Sequence, residues 1–141
     1  MEGMDGYEPH LARDAARASM RAVEAGDRAA WLALFAPDAR VEDPIGPSMF
    51  DPEGAGHRGA EAIAAFYDTV VASGQVQFVI RESYAAGNEC ANVGTIITTL
   101  PDGTRALVDG VYSYRVDDDG HILALRAYWE PARMRLEAPE S

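Results

Sequence analysis

Few residues in this chain combine a reactive type with a setting that could use it. Asp43 closes a short stretch, Ala39 to Asp43, and stands directly before Pro44. A carboxylate at a strand end, facing a cavity, can take up and return a proton. An Asp before Pro equally well opens a turn. Glu42 alternates to the other strand face and is expected to be solvated. Val108, Gly110, Tyr112 and Tyr114 share one face of a later strand. A buried phenol there either packs in the core or donates a hydrogen bond. Asp109 falls on the opposite face, and only a bulge would turn it inward. Phe66 and Phe78 suit a core or a pocket wall. His10, His57 and His121 are scattered, so no metal site is expected. Cys90 is the only cysteine, which rules out an intrachain disulfide and a zinc site built from several thiolates. It reads as a small buried hydrophobe. Asp117-Asp118-Asp119-Gly120 has a calcium-loop flavour, but no ligand series follows it, and a hairpin turn is the better reading. No Gly-rich phosphate loop and no Ser-His-Asp arrangement is found.

Composition narrows the chemistry further. The chain has 141 residues and a formal net charge of −11. All 12 basic residues are arginines, so a Schiff-base lysine mechanism is excluded. The acidic balance argues against nucleic acid and against anionic membrane surfaces as partners. Met1 to Tyr7 has neither a basic nor an apolar region of the signal-peptide kind. No apolar run approaches membrane-spanning length, so a cytoplasmic protein is expected. With 48% hydrophobic residues, one domain over 1–141 is expected, ordered over about 8–132, with a sizeable core and room for a pocket.

Helices come first. Leu11, Ala15, Ser19 and Val23 recur every four residues and define a helix over 10–25. Gly26-Asp27 ends it, and Asp27 can cap a second helix over 28–35 that points Ala30, Trp31, Leu34 and Phe35 inward. The strand 39–43 follows. Pro44 to Gly59 is a long loop with the length of a functional one, able to act as a lid. A third helix over 60–73 carries Ile63, Phe66, Tyr67, Val70 and Val71 as one stripe. Strands then span 75–84, 88–100, 104–116 and 121–130, joined by Pro101-Asp102-Gly103 and Asp118-Asp119-Gly120 turns. The charged tail after Pro131 is expected to fray. This order gives an α+β fold: three helices over a curved antiparallel sheet, enclosing an apolar pocket.

A family resemblance runs through these elements in order. Val41-Glu42-Asp43-Pro44-Ile45-Gly46 resembles the segment that holds the catalytic base of bacterial Δ5-3-ketosteroid isomerases. Ala25-Gly26-Asp27 and Leu32-Ala33-Leu34-Phe35-Ala36 resemble the family's helix pair at the same spacing to the Asp. Gly59, Ile63 and Ala65-Phe66-Tyr67 resemble its third helix. Gly120-His121-Ile122 and Arg126-Ala127-Tyr128-Trp129 resemble its last hairpin and final strand. The match covers roughly residues 10–130. It implies the nuclear transport factor 2-like cone of the wider SnoaL-like class. It also implies cofactor-free isomerisation of a β,γ-unsaturated, steroid-like ketone, with Asp43 as the base. The family is a known case of pKa tuning, in which a carboxylate base faces a Tyr and a protonated Asp that hold the enolate oxygen.

The oxyanion donors differ. The resemblance places the family's Tyr on Ser19 and its protonated Asp on Tyr112. A phenol at 112 can donate to an enolate. Ser19 is too short to span the same gap and suits a held water, or a bond to its own helix backbone. Trp129 matches an apolar wall position. The substrate-facing set is therefore Ser19, Phe66, Phe78, Val108, Gly110, Tyr114 and Trp129, with Asp43 and Tyr112 in catalysis and no metal or cofactor. Two alternatives stand beside the isomerase. One is a lipophilic-ligand binding module without turnover. The other is a polyketide cyclase or an epoxide hydrolase with an Asp-Arg-Asp site, for which Arg115 and Arg126 are candidates, Arg115 being disfavoured by its place on the strand face opposite Tyr112 and Tyr114. The resemblance also implies a bacterial homodimer paired through the outer sheet face, where Thr95-Ile96-Ile97-Thr98 alternates weakly.

Overall fold

The computed structural model describes residues 1–139. Helix α1 spans Leu11–Ala25. The His10 ring caps it by accepting from the Ala12 amide, and Gly26 closes it at φ 67°, a backbone angle that costs a glycine little. Its buried stripe runs through Ala12, Ala16, Ser19 and Met20, turned slightly from the four-residue repeat read off the sequence. Asp27 caps α2 through Ala30, as expected.

Helix α2, Arg28–Leu32, is shorter than the sequence suggests. Phe35 leaves it and opens strand β1, Phe35–Glu42, where it pairs with Ile122. Pro37 bars the helix from passing Ala36, and pairing with Ile122 takes Phe35 into the strand before that limit is reached. The Phe35 ring still packs edge-on against Trp31, at 4.6 Å between centroids. The 44–59 segment contains a two-residue strand, β2, His57–Arg58, antiparallel to β1. Helix α3 spans Gly59–Thr69 and passes into a 3-10 turn at Val71–Ser73.

Four long strands follow: β3 Gln75–Ala86, β4 Glu89–Thr99, β5 Arg105–Val116 and β6 Ile122–Tyr128. The sheet order is β2-β1-β6-β5-β4-β3. All these pairings are antiparallel except β1 with β6, which is parallel. The tail does not simply fray. Arg135–Glu137 forms β7 on the part of β5 that β6 leaves unpaired, 105–107. At the other end, Glu2 bridges to Val79 and Met4 is fully buried.

The sheet bends around the helices. β3 carries a bulge between Ile80 and Glu82. Gly94 and Gly110 face each other across β4 and β5. A Cβ at Gly94 would fall 2.2 Å from the Val79 carbonyl oxygen, and one at Gly110 would fall 2.4 Å from that of Tyr128. Neighbouring backbone fills the space a side chain would need, so only glycine fits this crease. Trp31, Ile63, Phe66, Met20 and Val41 fill the closed end of the cone.

Candidate active site

Two adjoining chambers that share part of their lining lie between the helices and the concave sheet face. The inner one is lined by Ser19, Trp31, Phe66, Phe78, Tyr112 and Tyr114, among others. The outer one lies under Phe50, Leu100, Val108, Trp129 and Met134. Asp43, Val70, Ile96 and Thr98 belong to both. The space inside and at the mouths of the two, open solvent included, is about 630 and 650 Å³.

Asp43 sits just past the end of β1, at the junction of the chambers. Its Oδ1 accepts from the Trp129 indole Nε1–H at 2.6 Å. Burial drives its pKa above the ordinary 3.8; the indole hydrogen bond and the nearby His57 pull it part of the way back. Trp129 is thus more than an apolar wall, since its N–H holds the carboxylate in place. His57, which sequence spacing left unassigned, stacks on Phe66 at 4.8 Å between centroids, and its buried Nε2 has no partner among the described residues.

The tyrosines divide the polar work. The Tyr112 hydroxyl donates to the Val108 carbonyl at 2.7 Å. Burial first, then the Asp43 charge, push its pKa well up, so it stays a neutral phenol. Tyr114 is pushed up for the same leading reason. Its hydroxyl donates to Ser19 Oγ at 3.2 Å, and the Trp31 Nε1–H donates to the same oxygen at 3.0 Å. Ser19, 1% exposed, accepts from residues 95 positions downstream and 12 downstream, not from its own helix.

The remaining candidates fall elsewhere. Gly110 lies in a separate surface groove with Ile45 and Tyr128. Asp109 is on the outer sheet face, where it accepts from Thr95 and pairs with Arg135 at 3.0 Å. Arg115 lines a different outer hollow with Arg40 and Arg58. Glu42 does alternate outward, but it is not solvated: it is 7% exposed and takes Arg40 at 2.9 Å and Arg126 at 3.0 Å on one oxygen. The expectation failed because its β6 partner in register is Arg126. Cys90 is buried as expected, though beside Ser83 and Asn92 rather than in a purely apolar shell. Asp117, Asp119 and His121 bring ligand atoms together, yet Asp117 Oδ1 already accepts from the backbone of Asp119 and His121, as a turn does. The 44–56 loop is internally tied, with Asp51 accepting from Gly56 at 2.7 Å, and it presents Phe50 to the outer chamber.

The lining residues that sequence reasoning missed include Trp31, Phe50, Thr98 and Met134. The signal for Trp31 was present, because an indole buried on a short helix needs an acceptor. No local signal marks Phe50 or Met134, which arrive through a loop and a tail.

Known proteins share this fold. Residues 16–133 match the SnoaL-like domain. A steroid Δ-isomerase of Nocardioides simplex is 32% identical over 113 residues, covering 80% of this chain and 85% of that protein. A Δ5-3-ketosteroid isomerase from Mycobacterium sp. superposes with a TM-score of 0.87 at 40% identity, covering 92% of this chain and all of that one. A Mycobacterium tuberculosis protein superposes at 0.88 and 35% identity, covering 93% and 99%. The same protein has been solved in complex with estradiol-17beta-hemisuccinate, at a TM-score of 0.85, 36% identity and coverage of 90% and 99%. With the domain match spanning most of its length and the cone shared with these relatives, the chain belongs to the SnoaL-like, nuclear transport factor 2-like family and has ketosteroid isomerases among its structural neighbours.

Proposed function

We propose that this protein isomerises a β,γ-unsaturated, steroid-like ketone without a cofactor, with Asp43 as the proton-transfer base. The carrying observation is the state of Asp43. It is the only carboxylate lining either chamber among the described residues, it is held by one indole N–H, and burial raises its pKa. A carboxylate of this kind is basic enough to take a proton and free enough to return it. In the reaction the carboxylate removes a proton from the carbon between the ketone and the alkene. The C–H pair forms a carbon–carbon double bond, and the carbonyl pair moves onto oxygen. The dienolate then collapses, and the same proton goes to the far carbon of the former alkene. Atoms and charge balance with no further reactant. Tyr112, a neutral buried phenol in the same chamber, stabilises the oxygen once its proton turns from Val108. The apolar lining of Phe66, Phe78 and Val108 accommodates the ring system.

The test is conversion of 5-androstene-3,17-dione to its conjugated isomer, followed by ultraviolet absorbance. Turnover that disappears in Asp43→Asn supports the reading. A second reading, ligand binding without turnover, draws on the resting bond of Tyr112 to Val108, which occupies its donor. Tight steroid binding with no conversion would establish it. The Asp-Arg-Asp alternative is disfavoured, because no arginine is among the residues lining either chamber. We read the assembly as a homodimer, and light scattering at micromolar concentration decides that point.

A further inference from the structure

The outer chamber is poor in polar groups. Among the described residues Asp43 is its only charged lining residue, and it stands at the junction with the inner chamber. Three other side chains there carry an N–H or O–H. Trp129 gives its N–H to Asp43, and Ser73 gives its hydroxyl to the Val70 carbonyl at 2.6 Å. Thr98 lines both chambers and so stands beside the junction, not at the far end. Beyond the junction the walls are Phe50, Leu100, Ala106, Val108 and Met134. Phe50 and Met134 come from the 44–56 loop and the tail, and both segments are pinned. The Phe50 amide donates to the Ser48 hydroxyl at 3.1 Å, and Asp51 ties the loop to Gly56. Met134 runs directly into β7, which is paired with β5. The same two segments carry exposed apolar residues, Met49 at 69% and Leu136 at 68%. The arginines that flank these walls in sequence are all committed to acids. Arg105 pairs with Glu137, Arg133 with Glu130 and Arg135 with Asp109, each at 3.0 Å. The loop holds Asp51 and Glu53 but no basic residue.

We propose that the outer chamber selects an uncharged hydrocarbon side chain at the end of the ligand opposite its ketone, and that Phe50 and Met134 set this preference. The proposal rests on the isomerase reading, which puts the ketone oxygen beside Tyr112 in the inner chamber and the reacting carbon at Asp43. A ligand longer than its reacting ring then extends past the junction into the outer chamber. Apolar carbon that leaves water there gains about fourfold in affinity per methylene, from the transfer free energy of one CH₂. A carboxylate or sulfate ester at the same end loses its water and meets no free cation. It also approaches a chain of net charge −11. A ketone or hydroxyl falls between the two, because it is desolvated against walls with no free side-chain donor. Met134 is unbranched and polarisable, so its thioether can follow a flexible chain, while Phe50 offers a flat surface to pack on.

The experiment uses the full chain and reads affinity apart from turnover. In the Asp43→Asn background, 5-cholesten-3-one, with its branched alkyl side chain, should bind about tenfold or more tightly than 5-androstene-3,17-dione. Estradiol should bind about tenfold or more tightly than estradiol-17beta-hemisuccinate, which carries a carboxylate at that end. Phe50→Ala and Met134→Ala should each shrink the alkyl preference several-fold. The preference is taken as a ratio of two ligands, so a general loss of packing cancels. Met134→Arg should reverse the estradiol pair by giving the carboxylate a cation. Equal affinity for the two ketones, or a hemisuccinate held as tightly as estradiol, would overturn the proposal. Ratios that both alanine variants leave unchanged would overturn the assignment to Phe50 and Met134. Melting curves identify any variant that does not fold. The ligand ratios of Asp43→Asn alone need no change in the outer chamber and still decide the preference. Turnover that survives Asp43→Asn would instead overturn the base assignment, while the ratios would still judge the outer chamber.

Discussion

Glu42 and Asp43 are neighbours in sequence and opposites in setting. Glu42 points to the outer sheet face and shares one oxygen between two guanidinium groups. Asp43 points to the concave side, meets a single indole N–H and lies among aromatic and aliphatic walls. The same contrast holds for the two faces at large. The outer face carries Arg81, Thr95, Asp109 and Arg135 in one connected cluster. The inner face carries hydroxyls, two indoles and one acid. A carboxylate matched by cations has no reason to move a proton at neutral pH. Burial raises the pKa of the other, the direction proton transfer needs, against the lowering by the indole and His57.

The contrast breaks first at Asp43. Asp43→Asn should lower turnover by about 10²–10⁴-fold while steroid affinity stays level or improves, since no charge is desolvated on binding. The same variant should be more stable than the parent at pH 7. Burial raises the folded pKa of Asp43 above 3.8, so its ionised form weighs against the fold. The stability this group contributes is complete below 3.8 and is lost as pH rises through the raised folded value. Thermal melts across pH should therefore show the Asn variant's advantage at neutral pH and its disappearance in acid. Equal melts at pH 7 would mean that the carboxylate is not desolvated.

Next in size is Tyr112→Phe, which keeps the ring and removes the phenol. Turnover should fall by up to about 10²-fold. Binding of the phenolic steroid equilenin should weaken, and thermal stability should change little. If neither turnover nor equilenin binding moves, Tyr112 serves only Val108.

Trp129→Phe sharpens the comparison from the other direction. It removes the N–H that lowers the Asp43 pKa, so the acidic limb of the kcat/KM profile should move to higher pH. A limb that stays in place would assign that limb to another group.

The smallest effect on activity is expected at Glu42. Glu42→Gln should leave kcat within about twofold, because the residue faces away from the pocket, but it removes the charge that Arg40 and Arg126 share. Loss of stability should be about 1–3 kcal/mol, read as a fall of several degrees in melting temperature. A large loss of turnover in a folded Glu42→Gln protein would erase the distinction between the two acids.

Local chemistry made much of this legible in the sequence. The Gly26-Asp27 junction, the hairpin turns and the strand alternation around Asp43 all follow from residues within a few positions of each other. The motif order carried the family. What escaped were features closed over long distances. The parallel pairing of β1 with β6 joins segments with most of the chain between them. The Trp129 bond to Asp43 spans 86 residues, and the Tyr114 bond to Ser19 spans 95. Periodicity names the face of a side chain, but not the atom its proton will find. Glu42 shows the same limit, since its alternation was right and its cations come from a register that no local pattern specifies.

The crease at Gly94 and Gly110 carries a consequence for how such proteins acquire new ligands. Neither glycine is among the residues lining the two chambers, yet together they let neighbouring strands approach closely. A methyl group at either position would meet backbone at 2.2–2.4 Å and force the strands to shift. The wall would flatten, and every lining residue would move with its identity unchanged. Ligand range can thus drift through the curvature of the container while its inner surface keeps the same residues. Relatives compared by pocket residues alone will then look more alike than the molecules they hold.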